Sequence, residues 1–192
     1  MSRALVRRLP SLIVPTALLG LATLACAPTS GTASPGGAGA ATTQPTPAPA
    51  ASHKDISVEI EGQVVTLVGG VAETAAAPGS ATKMVTRYFG NEATGDLNGD
   101  GAADIAFLIT RSGGGSGTFF YVVAALRTAR GYTGTNAVLL GDRIAPQTTR
   151  IDGGELVVNY ADRRPGEPMT TRPSVGVSKY LKVVGGRLQV VR

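Results

Sequence analysis

The sequence predicts an all-β domain, an antiparallel meander forming a sandwich or partly closed barrel, preceded by a signal peptide and a disordered linker. Three observations carry this. Short alternating or β-branched apolar segments recur from residue 56 to the end, and the turn-rich clusters SGGGSG, RGYTG, DGG, RRPGEP and GG separate them. No stretch of helical period reaches about 12 residues without Gly, Pro or a β-branched run.

Element by element, ISVEI (56–60) and QVVTLV (63–68) flank Glu61-Gly62 as a hairpin does. After the loop AAAPGSAT come KMVTRYFG (83–90), DIAFLIT (104–110) and TFFYVVAAL (118–126). NAVLLG (136–141), ELVVNYA (155–161), SKYLKVV (178–184) and RLQVV (187–191) complete the set, giving roughly eight or nine strands. All five Tyr and four Phe lie in this part of the chain. A domain of about 150 residues buries some two thirds of its unfolded surface, so 55–192 can be stable without cross-links.

The segment before it has another character. Arg3, Arg7 and Arg8 precede an apolar run from Leu12 to Ala25 broken by Pro15, and Cys26 follows. A basic head, a short apolar centre and small residues before a cut site are the pattern of an export signal, here residues 1–25. The run is shorter than the roughly 20 apolar residues that cross a bilayer. Thr-Leu-Ala-Cys at 23–26 resembles the lipobox of bacterial lipoproteins, with Thr23 at the place that most often carries Leu. The resemblance implies a diacylglycerol on the Cys26 thiol, an acylated (palmitate-type) N-terminus and a membrane anchor. Several acyl chains, at about 0.8 kcal/mol per buried CH2, hold a protein on a membrane stably. Residues 26–54 then form a linker of Ala, Pro, Thr, Gly and Ser. It has no charge before Lys54 and no hydrophobic periodicity to offset the entropy of folding. Its reach lies between a coil of about 30 Å and an extended limit of roughly 80 Å. His53, the one histidine, reads as a solvated linker residue.

The chain carries 18 Lys plus Arg against 13 Asp plus Glu, a net charge of +5. Three of those arginines belong to the export signal, so what remains is close to neutral and gives no case for nucleic acid. One Cys and one His leave no material for His/Cys zinc sites, Cys-His nucleophiles or a Ser-His-Asp triad in the domain.

One constellation carries chemistry. In GDLNGDGAADI (95–105), oxygen-bearing side chains fall at loop positions 1, 3, 5 and 9 (Asp96, Asn98, Asp100, Asp104), Gly101 is at position 6, and Ala102 offers a carbonyl at position 7. A hard cation such as calcium takes six to eight oxygens, and this spacing on a tight loop wraps them round one point. Phe107 stands where an EF-hand needs its bidentate Glu. The string resembles instead the calcium loop of FG-GAP and related integrin-type repeats, where the loop joins two strands. The resemblance implies a bound Ca2+ that stiffens the hairpin between KMVTRYFG and DIAFLIT. Only one copy is visible, so no propeller is implied.

Other patterns fail or stay open. SGGGSGTFF lacks the Gly-Lys-Ser/Thr of a phosphate loop, and Thr118 replaces the second Gly of G-x-S-x-G. Asn159, Tyr160, Asp162, Arg163, Arg164 and Glu167 cluster in NYADRRPGEP, which reads either as a ligand-binding loop or as a solvated turn. Asp162 and Glu167 are the pair that acid/base work on a glycoside would need.

From about 56 to 184 the chain resembles an uncharacterised group of bacterial secreted or lipid-anchored proteins associated with META-type envelope domains. The matching strings are APGSATKMVTRYFG, GDLNGDGAADIAFLIT, GGGSGTFFYVVAAL, GDRIAPQTT and VNYADRRPGEP. The resemblance implies an envelope location and one compact domain, and assigns no catalytic residue. Together these readings predict a membrane-anchored envelope lipoprotein whose non-enzymatic, calcium-stabilised domain binds an envelope protein or cell-wall glycan, or lends support. The alternative is a glycan-acting enzyme or enzyme inhibitor.

Overall fold

DIAFLIT and TFFYVVAAL carry apolar residues at successive positions rather than alternate ones, which suits a strand covered on both faces. The computed structural model, which describes residues 51–192, shows both faces covered. The predicted export signal, Cys26 and the linker up to residue 50 lie outside the described residues. There are twelve strands among the described residues: β1 (Ser57–Ile60), β2 (Gln63–Thr66), β3 (Val71–Ala75), β4 (Lys83–Gly95), β5 (Asp104–Ser112), β6 (Phe119–Thr128), β7 (Gly131–Gly134), β8 (Val138–Asp142), β9 (Ala145–Asp152), β10 (Glu155–Asp162), β11 (Val175–Val184) and β12 (Arg187–Val190). No helix of the described residues is long and apolar enough to cross a membrane.

The strands form three antiparallel groups: the β1-β2 hairpin, a central six-stranded sheet ordered β3-β4-β5-β6-β7 with β8 also on β6, and a four-stranded sheet ordered β12-β11-β10-β9. Alternation sorts the core. Ala106, Leu108, Val122, Ala124 and Leu126 pack against Leu156, Val158, Tyr160, Leu181 and Leu188 of the four-stranded sheet. Phe107, Ile109, Tyr121, Val123 and Ala125 pack against Ile56, Val58, Ile60, Val65 and Leu67 of the hairpin. The domain is therefore layered three deep over β5 and β6, which bear the longest apolar runs for that reason. The hairpin turns at Glu61 (φ 51) and Gly62 (φ 80), the paired positive φ values of the two-residue turn that matches strand twist. Gly134 lies under β1: a Cβ there would run into the Ser57 carbonyl.

The all-β antiparallel reading holds, and the element list needs additions. β4 continues past Gly90 to Gly95 through register shifts at Gly90 (φ 106) and Asn91 (φ 55), which bend it. At its far end Gly95 has no room for a Cβ, which would sit 2.8 Å from Ile151 of β9, so the two larger sheets close on one another at this edge. This is the partly closed part of the barrel. The RGYTG stretch, expected as a turn, pairs with β6 as β7. β3 and β9 were also unexpected, and both have short or polar side chains and a place at a sheet edge.

Candidate functional site

The loop between β4 and β5 is held at both ends by burial. Leu97 is 4% exposed within the core between the two larger sheets. Asp104, at the start of β5, is fully buried; its Oδ2 accepts the Leu97 N–H at 2.9 Å and its Oδ1 the Arg127 N–H at 2.7 Å. The carboxylate thus ties the loop to β6. Between these points the polar residues bend the chain round themselves. Asp96 Oδ1 accepts from Gly99 N at 2.7 Å and Oδ2 from Gly101 N at 2.9 Å. The Gly101 and Gly99 amides hold the Asp96 carboxyl below its ordinary range. Asn98 Oδ1 accepts from Asp100 N at 3.0 Å, Asn98 Nδ2 donates to Asp100 Oδ2 at 2.9 Å, and Asp100 Oδ1 accepts from Ala102 N at 2.7 Å. Gly99 (φ 80) and Gly101 (φ 82) supply left-handed turns that an L side chain rarely takes.

Asn98 and Asp100 are exposed and Asp96 is half-buried, while Asp104 faces inward. Among the described residues, no three His, Cys, Asp or Glu side chains are already gathered round one point. The donor set still fits a hard cation in its chemistry. Each Asp96 oxygen accepts one of these amide hydrogen bonds and keeps a second lone pair; Asn98 and Asp100 lie two and four residues on, and Ala102 adds a carbonyl. An open depression of about 450 Å³ lies between this loop and the β9-β10 turn, lined by Gly95, Asp96, Gly99, Ile151, Gly153 and Gly154.

The polar residues of 159–167 make most of their bonds to the fold itself. Asn159 bridges three strands, its Nδ2 donating to Thr148 Oγ1 at 2.8 Å and its Oδ1 accepting from Ser178 at 2.7 Å. Tyr160 is 3% exposed in the core, and burial pushes its hydroxyl above the ordinary value, helped by Asp162. Asp162 accepts the Arg163 N–H at 2.8 Å. The Arg163 guanidinium donates to the carbonyls of Thr171 (2.5 Å), Arg143 (3.1 Å) and Asp142 (3.3 Å), stapling the loop after β10 to the β8-β9 turn. Glu167 turns back to accept the Arg164 N–H at 2.9 Å. The pair suggested for glycoside chemistry is thus engaged locally, by Arg163 and Arg164.

His53 is not a solvated linker residue, and the packed domain takes in Ala51–Lys54. Its side chain is 18% exposed, with Phe107, Tyr88 and Tyr132 rings at 5.6–6.1 Å and Nε2 2.6 Å from Glu92 Oε1. Tyr88 donates to the same oxygen at 2.5 Å, and its hydroxyl is pushed up to about 12, by burial first and then by Glu92. Burial pushes the Glu92 carboxyl up, but the hydrogen bonds from Tyr88 and His53 outweigh it and hold the group below its ordinary value. Composition around His53 gave no sign of this, since every partner is distant in sequence.

In comparisons with protein-family models, curated proteins and solved structures, nothing matches this chain.

Proposed function

We propose that this chain is an exported, lipid-anchored protein of the bacterial cell envelope, and that its β-domain is a non-catalytic binding or structural module whose 96–104 loop takes calcium. The observation that carries the non-catalytic part is the use made of the polar cluster after β10: Arg163 donates from Nε and Nη1 to three backbone carbonyls, and Asp162 and Glu167 accept from neighbouring main-chain amides. The anchoring part rests on the sequence, where Cys26 follows an apolar run and precedes an uncharged Pro/Ala/Thr/Gly stretch. In the loop, Asp96, Asn98, Asp100 and the Ala102 carbonyl would hold the ion, and Asp104 would keep the loop registered on β6. Calcium, when bound, supplies positive charge that offsets the exposed carboxylates and stiffens the β4-β5 connection. The open depression beside the loop is the surface on which an envelope protein or cell-wall glycan would rest.

Membrane fractionation of cells expressing the full chain tests the anchor. The wild type is expected in the membrane fraction, labelled by palmitate, and Cys26→Ala in the soluble fraction, unlabelled. Membrane retention of the variant would remove the anchor from the proposal. Release of sugars from cell-wall fragments by the purified chain would overturn the non-catalytic reading, and stoichiometric capture without turnover would support it.

A further inference from the structure

The β1-β2 hairpin covers only part of its face of the central sheet. Beyond the Glu61-Gly62 turn the face opens into a cleft of about 280 Å³, lined by Glu61, Met84, Arg111, Phe119, Tyr121 and Leu139. Strand register places two threonines on the same face. Thr86 pairs with Arg111, Arg111 with Phe119, and Thr74 with Met84, and directly paired residues in an antiparallel sheet point the same way. Among the described residues, five buried side-chain polar atoms lack a hydrogen-bond partner, and three of them, Arg111 Nε, Thr86 Oγ1 and Thr74 Oγ1, fall in this one patch. Arg111 is 6% exposed and Thr86 1%. The other edge of the guanidinium is used: Nη1 donates to Glu61 Oε2 at 3.2 Å and Nη2 to Gln63 Oε1 at 3.3 Å.

Folded proteins leave few such atoms unpaired, because each forfeits its hydration without return. Arg111 Nε lies at the cleft itself, with the Thr86 hydroxyl on the directly paired residue beside it, and this points to an occupant. We propose that this cleft binds a small monocarboxylate with an apolar body. Arg111 Nε–H can only donate, and the Thr86 hydroxyl on the paired strand can donate, so their complement is an acceptor group, and the guanidinium charge favours an anionic one. Glu61, which also accepts from Tyr121 at 2.8 Å, and Gln63 occupy the Nη edge of the guanidinium and leave Nε–H as the edge that faces a ligand. Phe119 and Leu139 are 40% and 45% exposed, an apolar wall suited to a short hydrocarbon chain. The volume lies near the low end for ligand pockets, about 300 Å³, which fits a compact ligand. Met84 is half-buried, unbranched and pliable, and is the part of the rim that yields to let an oxygen reach Nε. Nothing in this proposal depends on Cys26 or on the 96–104 loop.

Calorimetric titration of the full chain with sodium hexanoate, with hexanamide as the uncharged control, tests it. Hexanoate is expected to bind in the millimolar range or tighter and hexanamide at least about tenfold more weakly. Arg111→Gln is expected to abolish hexanoate binding. Thr86→Val gives a second reading should that variant fold poorly: it removes an unpaired hydroxyl, so its melting temperature should equal or exceed the wild type while hexanoate affinity falls about threefold to tenfold. Equal binding of hexanoate and hexanamide, no hexanoate binding in the millimolar range, or unchanged affinity in Thr86→Val would each overturn the proposal.

Discussion

Phe107→Ala is expected to lower the free energy of unfolding by about 3–5 kcal/mol, read from the denaturant midpoint at unchanged slope. Phe107 is fully buried on the face of β5 toward the β1-β2 hairpin, with Tyr88 at 5.3 Å and His53 at 5.6 Å ring to ring. Removing the ring leaves a cavity under the hairpin, and the loss is a large share of the roughly 5–15 kcal/mol that holds a domain together. Leu108→Ala, on the opposite face, is expected to cost about 2–5 kcal/mol. The two substitutions together test the layering. In a sheet covered on one face only, one of them would be a surface change worth within about 0.5 kcal/mol.

Asp104→Ala is expected to cost about 2–4 kcal/mol in calcium-free solution, because it leaves the buried Leu97 amide and the part-buried Arg127 amide without their acceptor. Hydrogen exchange at those two amides should accelerate more than at the Gly99 and Gly101 amides, which Asp96 holds independently. Asp104→Asn should fall between, since its one remaining oxygen can serve one amide while its own N–H₂ faces the other. A loss under about 1 kcal/mol without calcium would mean that Asp104 acts only as an ion ligand and not as the clamp between loop and β6.

The hairpin at 61–62 and the strands from 104 to 128 were legible because turn chemistry and apolar runs are local signals. The layering is implicit in the same runs, since alternate residues of FLIT and YVVAA need two different partners. β3, β7 and β9 escaped because edge strands carry small or polar residues, and in β9 Pro146 and Thr148 to Arg150 read as loop. The oxygen spacing of 96–104 marked a real loop, but spacing could not say that Asp104 turns inward, since that depends on where the Arg127 amide of β6 arrives. The 159–167 cluster shows the same limit of local signals. Charged residues near a turn left a binding loop and a solvated turn both open, and partners at 142, 143 and 171, which take Arg163 Nε and Nη1, are not signalled locally. Arg111 had a readable signal: it keeps step with Phe107 and Ile109, so alternation puts a guanidinium on an inward face.

Thermal unfolding of the full chain with and without calcium decides whether the 96–104 loop is an ion site. With an affinity near 10⁻³ M, as in extracellular modules, 10 mM calcium stabilises by about 1.4 kcal/mol, or roughly 4–6 °C for a domain of this size. Asp100→Ala should abolish that rise while leaving the calcium-free midpoint within about 2 °C of the wild type. A wild-type midpoint unmoved by 10 mM calcium, or a rise that persists undiminished in Asp100→Ala, would contradict the account.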